Sequence, residues 1–131
     1  MNARTLSTLL LTLLITVPHA DAKDLELRKK AGEYDVEIRI DRNPPILGDN
    51  KIEVEVKTAA GAPIGDANVL VNYYMPPMPR MAPMNYTTHA KPKGKKYTAT
   101  MNLIMAGPWV IAVKIARDGK MTTAKFNIDA Q

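Results

Sequence analysis

The chain has 131 residues, 46% of them hydrophobic and 24% charged, with a formal net charge of +5 and no cysteine. That is the length of one domain, and it excludes disulfides, thiolate-bound zinc, iron–sulfur clusters and a thiol nucleophile. Ser7 is the only serine, and His19 and His89 are the only histidines, so removal of an amino-terminal targeting segment leaves no Ser–His or Cys–His pair and no two-histidine metal site.

Such a segment comes first. Arg4 is the only charged side chain before Asp21, and Leu6 to Val17 is an apolar run. It is too short for a bilayer span, which needs about 20 residues. Pro18 ends it, and Ala20-Asp21-Ala22 has the A-x-A spacing of a cleavage site. Residues 1–22 read as a secretory signal peptide, which makes the mature protein periplasmic or secreted. The alternative is an uncleaved inner-membrane anchor. Residues 23–32 read as a flexible lead-in, and residues 33–131 as the folded domain.

Within that domain the hydrophobic period is two. Tyr34, Val36, Ile38 and Ile40 alternate with charged residues, as do Ile52, Val54 and Val56. Val69, Val71 and Tyr73 make a third set, and Tyr97, Ala99, Met101 and Leu103 a fourth. Trp109, Ile111, Val113 and Ile115 make a fifth, and Thr122, Ala124, Phe126 and Ile128 a sixth. These are half-buried strands with one wet face each. Asn43-Pro44-Pro45, Gly48-Asp49-Asn50, Gly61-Ala62-Pro63 and Gly107-Pro108 break the chain between them. Asp118-Gly119 is the pair of a two-residue type I′ hairpin. It sets Arg117 opposite Lys120, Ile115 opposite Thr122, Ile111 opposite Phe126 and Trp109 opposite Ile128, which puts two separately read apolar faces on one side. The expected fold is all-β, an antiparallel immunoglobulin-like β-sandwich of about seven short strands without a disulfide.

The stretch Met75-Pro76-Pro77-Met78-Pro79-Arg80-Met81-Ala82-Pro83-Met84 repeats methionine at every third residue among four prolines. Proline excludes an ordinary helix. A polyproline II segment, with three residues per turn, would set all four methionines on one face about 9 Å apart. Thioethers are soft, neutral ligands that select Cu(I), and by the same softness Ag(I), over zinc or magnesium. Met75, Met78, Met81 and Met84 are therefore the candidate metal ligands, with His89 as an added imidazole and Met105 as a further sulfur. Two other readings stay open. Methionine is an adaptable core filler, and an extended Met–Pro segment also suits docking of a protein partner.

Other features carry less chemistry. From Lys23 to Asn72 there are eight basic and ten acidic residues, and from Tyr73 to Gln131 nine basic and two acidic. The densest basic cluster is Lys91, Lys93, Lys95 and Lys96, a solvated turn or a contact for an anionic partner or membrane. Nucleic acid does not suit an exported chain without aromatic–basic interleaving. Glu33, Asp35, Glu37, Glu53 and Glu55 fall on wet strand faces, without an apolar pocket to tune an acid–base pair. We expect no enzyme and no small-molecule substrate. Asn85-Tyr86-Thr87 matches the glycosylation pattern, and Trp109 reads as core.

Met75 to Met84, followed by Met105-Ala106-Gly107-Pro108-Trp109 and a hairpin, resembles the YtkA-like domains of the FixH-related family. Ala31-Gly32-x-Tyr34, Pro44-Pro45 and Tyr73-Tyr74-Met75-Pro76 fit the same pattern. The resemblance spans nearly all of the mature chain. It implies a bacterial extracytoplasmic, non-enzymatic β-sandwich found around heavy-metal efflux or cytochrome oxidase assembly, with a membrane efflux or oxidase-assembly protein as partner. FixH-type members usually carry a membrane anchor, where residues 1–22 of this chain read as a cleavable signal instead. The combined expectation is a carrier of Cu(I) or Ag(I), and the rival is a docking module for a membrane partner without metal.

Overall fold

The computed structural model describes residues 24–131, so the expected signal peptide lies outside the described residues. Eight strands follow one another: β1 (Leu25–Ala31), β2 (Tyr34–Ile40), β3 (Gly48–Thr58), β4 (Asn68–Tyr74), β5 (Asn85–Lys93), β6 (Lys96–Leu103), β7 (Gly107–Arg117) and β8 (Lys120–Ala130). Among the described residues there is no helix long and apolar enough to cross a membrane.

Every pairing is antiparallel, in the order β1-β2-β3-β6-β5-β4-β7-β8. The run β3-β6-β5-β4 is a Greek key: three hairpin-connected strands with the strand before them returning beside the last. β5 belongs to both halves. Its residues Asn85–Ala90 pair with β4 and its residues Lys91–Lys93 pair with β6, so the sheet curls around on this strand. The two outer strands then approach each other. Lys29 Nζ on β1 donates to the carbonyl of Lys125 on β8 at 3.1 Å, although no ladder joins them.

The result corrects two expectations. The architecture is an almost closed, barrel-like sheet of eight strands, in place of a sandwich of about seven. The supposed flexible lead-in contains β1, which pairs along its whole length with β2, from Leu25 opposite Ile40 to Ala31 opposite Tyr34. Strand pairing needs only backbone groups, so a segment with weak side-chain alternation is ordered at the edge.

The six alternating sets all line the core. Val36, Ile38, Ile52, Val54, Val71, Met101, Leu103, Trp109, Ile111, Val113 and Ala124 are buried. The β7–β8 register holds from Arg117 opposite Lys120 to Trp109 opposite Ile128. Asp118 and Gly119 have φ of 53° and 74°, the positive pair that a type I′ turn requires. The buried Tyr97 hydroxyl donates to the Ile64 carbonyl at 2.9 Å and accepts from the Ala67 amide at 3.0 Å, which straps the β3–β4 crossover onto the sheet.

Strand polarity sorts the connections into two ends. The β2–β3, β4–β5 and β6–β7 connections share one end with the carboxyl terminus. The β1–β2, β3–β4, β5–β6 and β7–β8 turns share the other.

Candidate methionine site

The Met–Pro segment is the β4–β5 connection, and its conformation follows from that position. Neighbouring strands lie about 4.8 Å apart, so the segment must return its ends to one another. A ten-residue polyproline II rod would span roughly 30 Å and cannot do so. The extended conformation expected from the prolines is therefore replaced by a folded loop. The Met75 amide donates to the Met84 carbonyl at 3.1 Å and closes it. At its tip the Met81 amide donates to the Met78 carbonyl at 3.3 Å. Pro79 stands second in this turn and Arg80 third with φ of 66°, which is type II geometry.

Folding back brings Met75, Met78, Met81 and Met84 around one hollow of about 230 Å³, completed by Pro76, Pro77, Pro83, Ala82, Tyr74 and Asn85. The methionines differ in depth. Met75 is 7% exposed and belongs to the core. Its Cε rests over Gly107, where an added Cβ would come within 3.1 Å. Met78 and Met84 are half-buried against the core edge, and Met81 is 37% exposed. Packing and site-forming roles thus coexist in the same side chains.

An aromatic cluster lies on the strands beside the base of the loop. Tyr73, Tyr86 and Trp109 cluster with ring centroids 5.5 to 6.5 Å apart. Trp109 Nε1 donates to the Met105 carbonyl at 2.8 Å, fixing the β6–β7 turn that carries Gly107. On the outer face the buried Asn72 side-chain amide donates to Asn85 Oδ1 and to the Tyr86 carbonyl. It pins the start of β5 just after Met84.

The other candidates are placed differently. His89 is exposed on β5 and lines a separate concavity with Arg39, Lys51 and Thr100, about 13 Å along the strand from Asn85 at 3.3 Å per residue. Met105 is half-buried near the Met loop but does not line the hollow. The lysine turn lies at the far end of β5, roughly 26 Å from Asn85, so it does not share a face with the methionines. Sequence reasoning read Gly107 only as a chain breaker and part of a family motif, and passed over Leu47 and Ile104. The last two are 50% and 54% exposed at the same end as the loop. They follow directly from the pairing of Gly48 with Leu103, and a strand register written one residue further would have found them.

Electrostatically the loop is plain. Arg80 is its only charged residue. Among the described residues no three His, Cys, Asp or Glu side chains gather as a metal site. What the loop offers is four neutral thioethers, a donor set matched to a soft monovalent ion.

A family model described as YtkA-like matches residues 28–114, most of the described chain. The chain belongs to the YtkA-like family. The YtkA-like domain is also similar in fold to the crystal structure of the PmoD soluble domain from Methylocystis sp. (Rockwell). That match has a TM-score of 0.56 and 13% identity, and covers 80% of this chain and 97% of the other. Comparison with curated proteins gives no match.

Proposed function

We propose that this YtkA-like protein is a non-enzymatic, exported carrier of Cu(I) or Ag(I), accessory to a metal-efflux or oxidase-assembly machine in the membrane. The observation that carries this reading is the folded Met–Pro loop, which gathers Met75, Met78, Met81 and Met84 around one hollow. Thioethers carry no proton to displace and favour soft ions. His89 is left out of the ligand set because it lines another concavity. Export rests on the signal-like residues 1–22, and intact-mass measurement on exported protein should find Lys23 at the amino terminus.

The test is a competition titration of the purified domain for Cu(I) against a weak chelator. It is repeated on the variant with all four loop methionines changed to leucine. Leucine preserves volume, and each such swap costs less than about 1.5 kcal/mol even when buried. Wild-type domain should compete and the variant should not, while both remain folded. Failure of the wild type to compete, or equal competition by the variant, would overturn the reading.

One observation favours docking without metal. Leu47, Met81 and Ile104 are exposed at one end of the fold, an apolar surface of the kind partners cover. Leucine in place of methionine leaves that contact in place, so the same variant separates the two readings.

A further inference from the structure

Charge is distributed unequally between the two ends of the barrel. Among the described residues at the methionine end, Arg42 and Arg80 stand with Asp24, Asp41, Asp49 and Asp129. The opposite end consists of four turns, Lys29 to Asp35, Lys57 to Ala67, Lys91 to Lys96 and Arg117 to Lys120, which together hold nine basic and four acidic residues. Some of these cations are engaged. Lys57, Lys96 and Arg117 pair with Glu55, Glu53 and Asp66, and Lys29 binds a carbonyl. Lys30, Lys91, Lys93, Lys95 and Lys120 are exposed. Among the described residues, none of these five belongs to an ion pair.

We infer that the lysine end is a docking surface for an anionic lipid bilayer, with the Met–Pro loop held roughly 26 Å away on the far side. Charge complementarity carries the choice of partner. A protein interface is anchored by apolar and aromatic side chains at its centre. Of the exposed large hydrophobics Leu47, Met81, Tyr86, Ile104 and Met121, only Met121 is near the lysine end. The free cations there are lysines, compact hydrated charges without the planar fork that reads a shaped acceptor. Several such charges spread over three turns suit a fluid sheet of anionic headgroups, where each contributes through a long-range field. The inference stands apart from the metal reading, since it uses none of the same residues.

Vesicle co-sedimentation tests it. Vesicles of equal parts phosphatidylglycerol and phosphatidylcholine should bind the mature domain, and pure phosphatidylcholine vesicles should not. Salt near 1 M, where the screening length falls to about 3 Å, should release it. Changing Lys91, Lys93 and Lys95 together to glutamine should weaken binding on the order of 100-fold. The absence of native cysteine allows a single fluorophore on Ala60→Cys, at the lysine end, or on Met81→Cys. Nitroxide lipids should quench the first and spare the second. Binding to neutral vesicles alike, salt-insensitive binding, undiminished binding by the folded lysine variant, or preferential quenching at position 81 would overturn the inference. So would binding to polyglutamate without binding to the anionic vesicles, which would assign the surface to an acidic protein.

Discussion

Gly107 is where the fold and the methionine loop meet, and an alanine there makes a quantitative prediction. Its φ is 121°, and its absent Cβ would sit 3.1 Å from Met75 Cε. Gly119 supplies a matched control, with φ of 74° and no atom within 4 Å of an added Cβ. Both alanines bring backbone strain, about 1–2 kcal/mol in the left-handed region and up to about 3 kcal/mol at the less accessible φ of Gly107. Only Gly107→Ala also pushes on the loop. The Met75 methyl is the end of a flexible chain, so it moves aside by a few tenths of an ångström and does not unfold the domain. On the proposed ligand set, a shift behind one of the four methionines is comparable to losing a supporting contact at a metal site, which costs about 10–100-fold in affinity. Urea melts should show both variants modestly destabilised, and Cu(I) competition should show Gly107→Ala alone weakened. Equal affinities in the two folded variants would refute the coupling of Gly107 to the site through Met75.

Trp109→Ala should cost about 3–5 kcal/mol, because the indole is buried and hydrogen-bonded; a urea midpoint equal to wild type would contradict the packing of the aromatic cluster. Arg80→Gly should stabilise the loop by about 1 kcal/mol, since it replaces a side chain at a left-handed φ. Removal of that charge should leave Cu(I) affinity the same or higher, read by the same titration. Cu(I) affinity should be nearly flat from about pH 7 to 5, because thioethers do not titrate, whereas a site using an imidazole would weaken through about pH 6.5. The Lys96 ammonium is held above its ordinary pKa, chiefly by its hydrogen bond to Glu53. Any stability this pair adds is present below the ordinary lysine pKa of 10.5 and fades as pH rises through the raised value. Glu53→Gln should abolish that alkaline dependence in melts followed from neutral pH upward.

The legible parts of this fold are those where side-chain alternation and turn chemistry agree. The β7–β8 register follows from Asp118-Gly119 and two apolar faces, and the structure reproduces it pair by pair. β1 and β5 lacked that signal for opposite reasons. In β1 only Leu25, Leu27 and Ala31 turn inward even partly, since an edge strand has little core to cover. In β5, Ala90 is the single buried residue, because the strand crosses between the two halves of the sheet and its backbone does most of the pairing. Missing β5 had a direct consequence for the site. With no strand assigned to Asn85–Lys93, nothing required the Met–Pro segment to return on itself, and its threefold spacing pointed to an extended rod. Once β4 and β5 are neighbours, the spacing takes another meaning. Pro79-Arg80 makes the turn at the tip, Met75 and Met84 meet at the base, and the methionines line the space between. The same strand separates two properties that were adjacent in sequence. It carries the methionine loop at one end and the lysines at the other, so a cluster of thioethers and a cationic surface only a few residues apart in the chain lie at opposite ends of the fold.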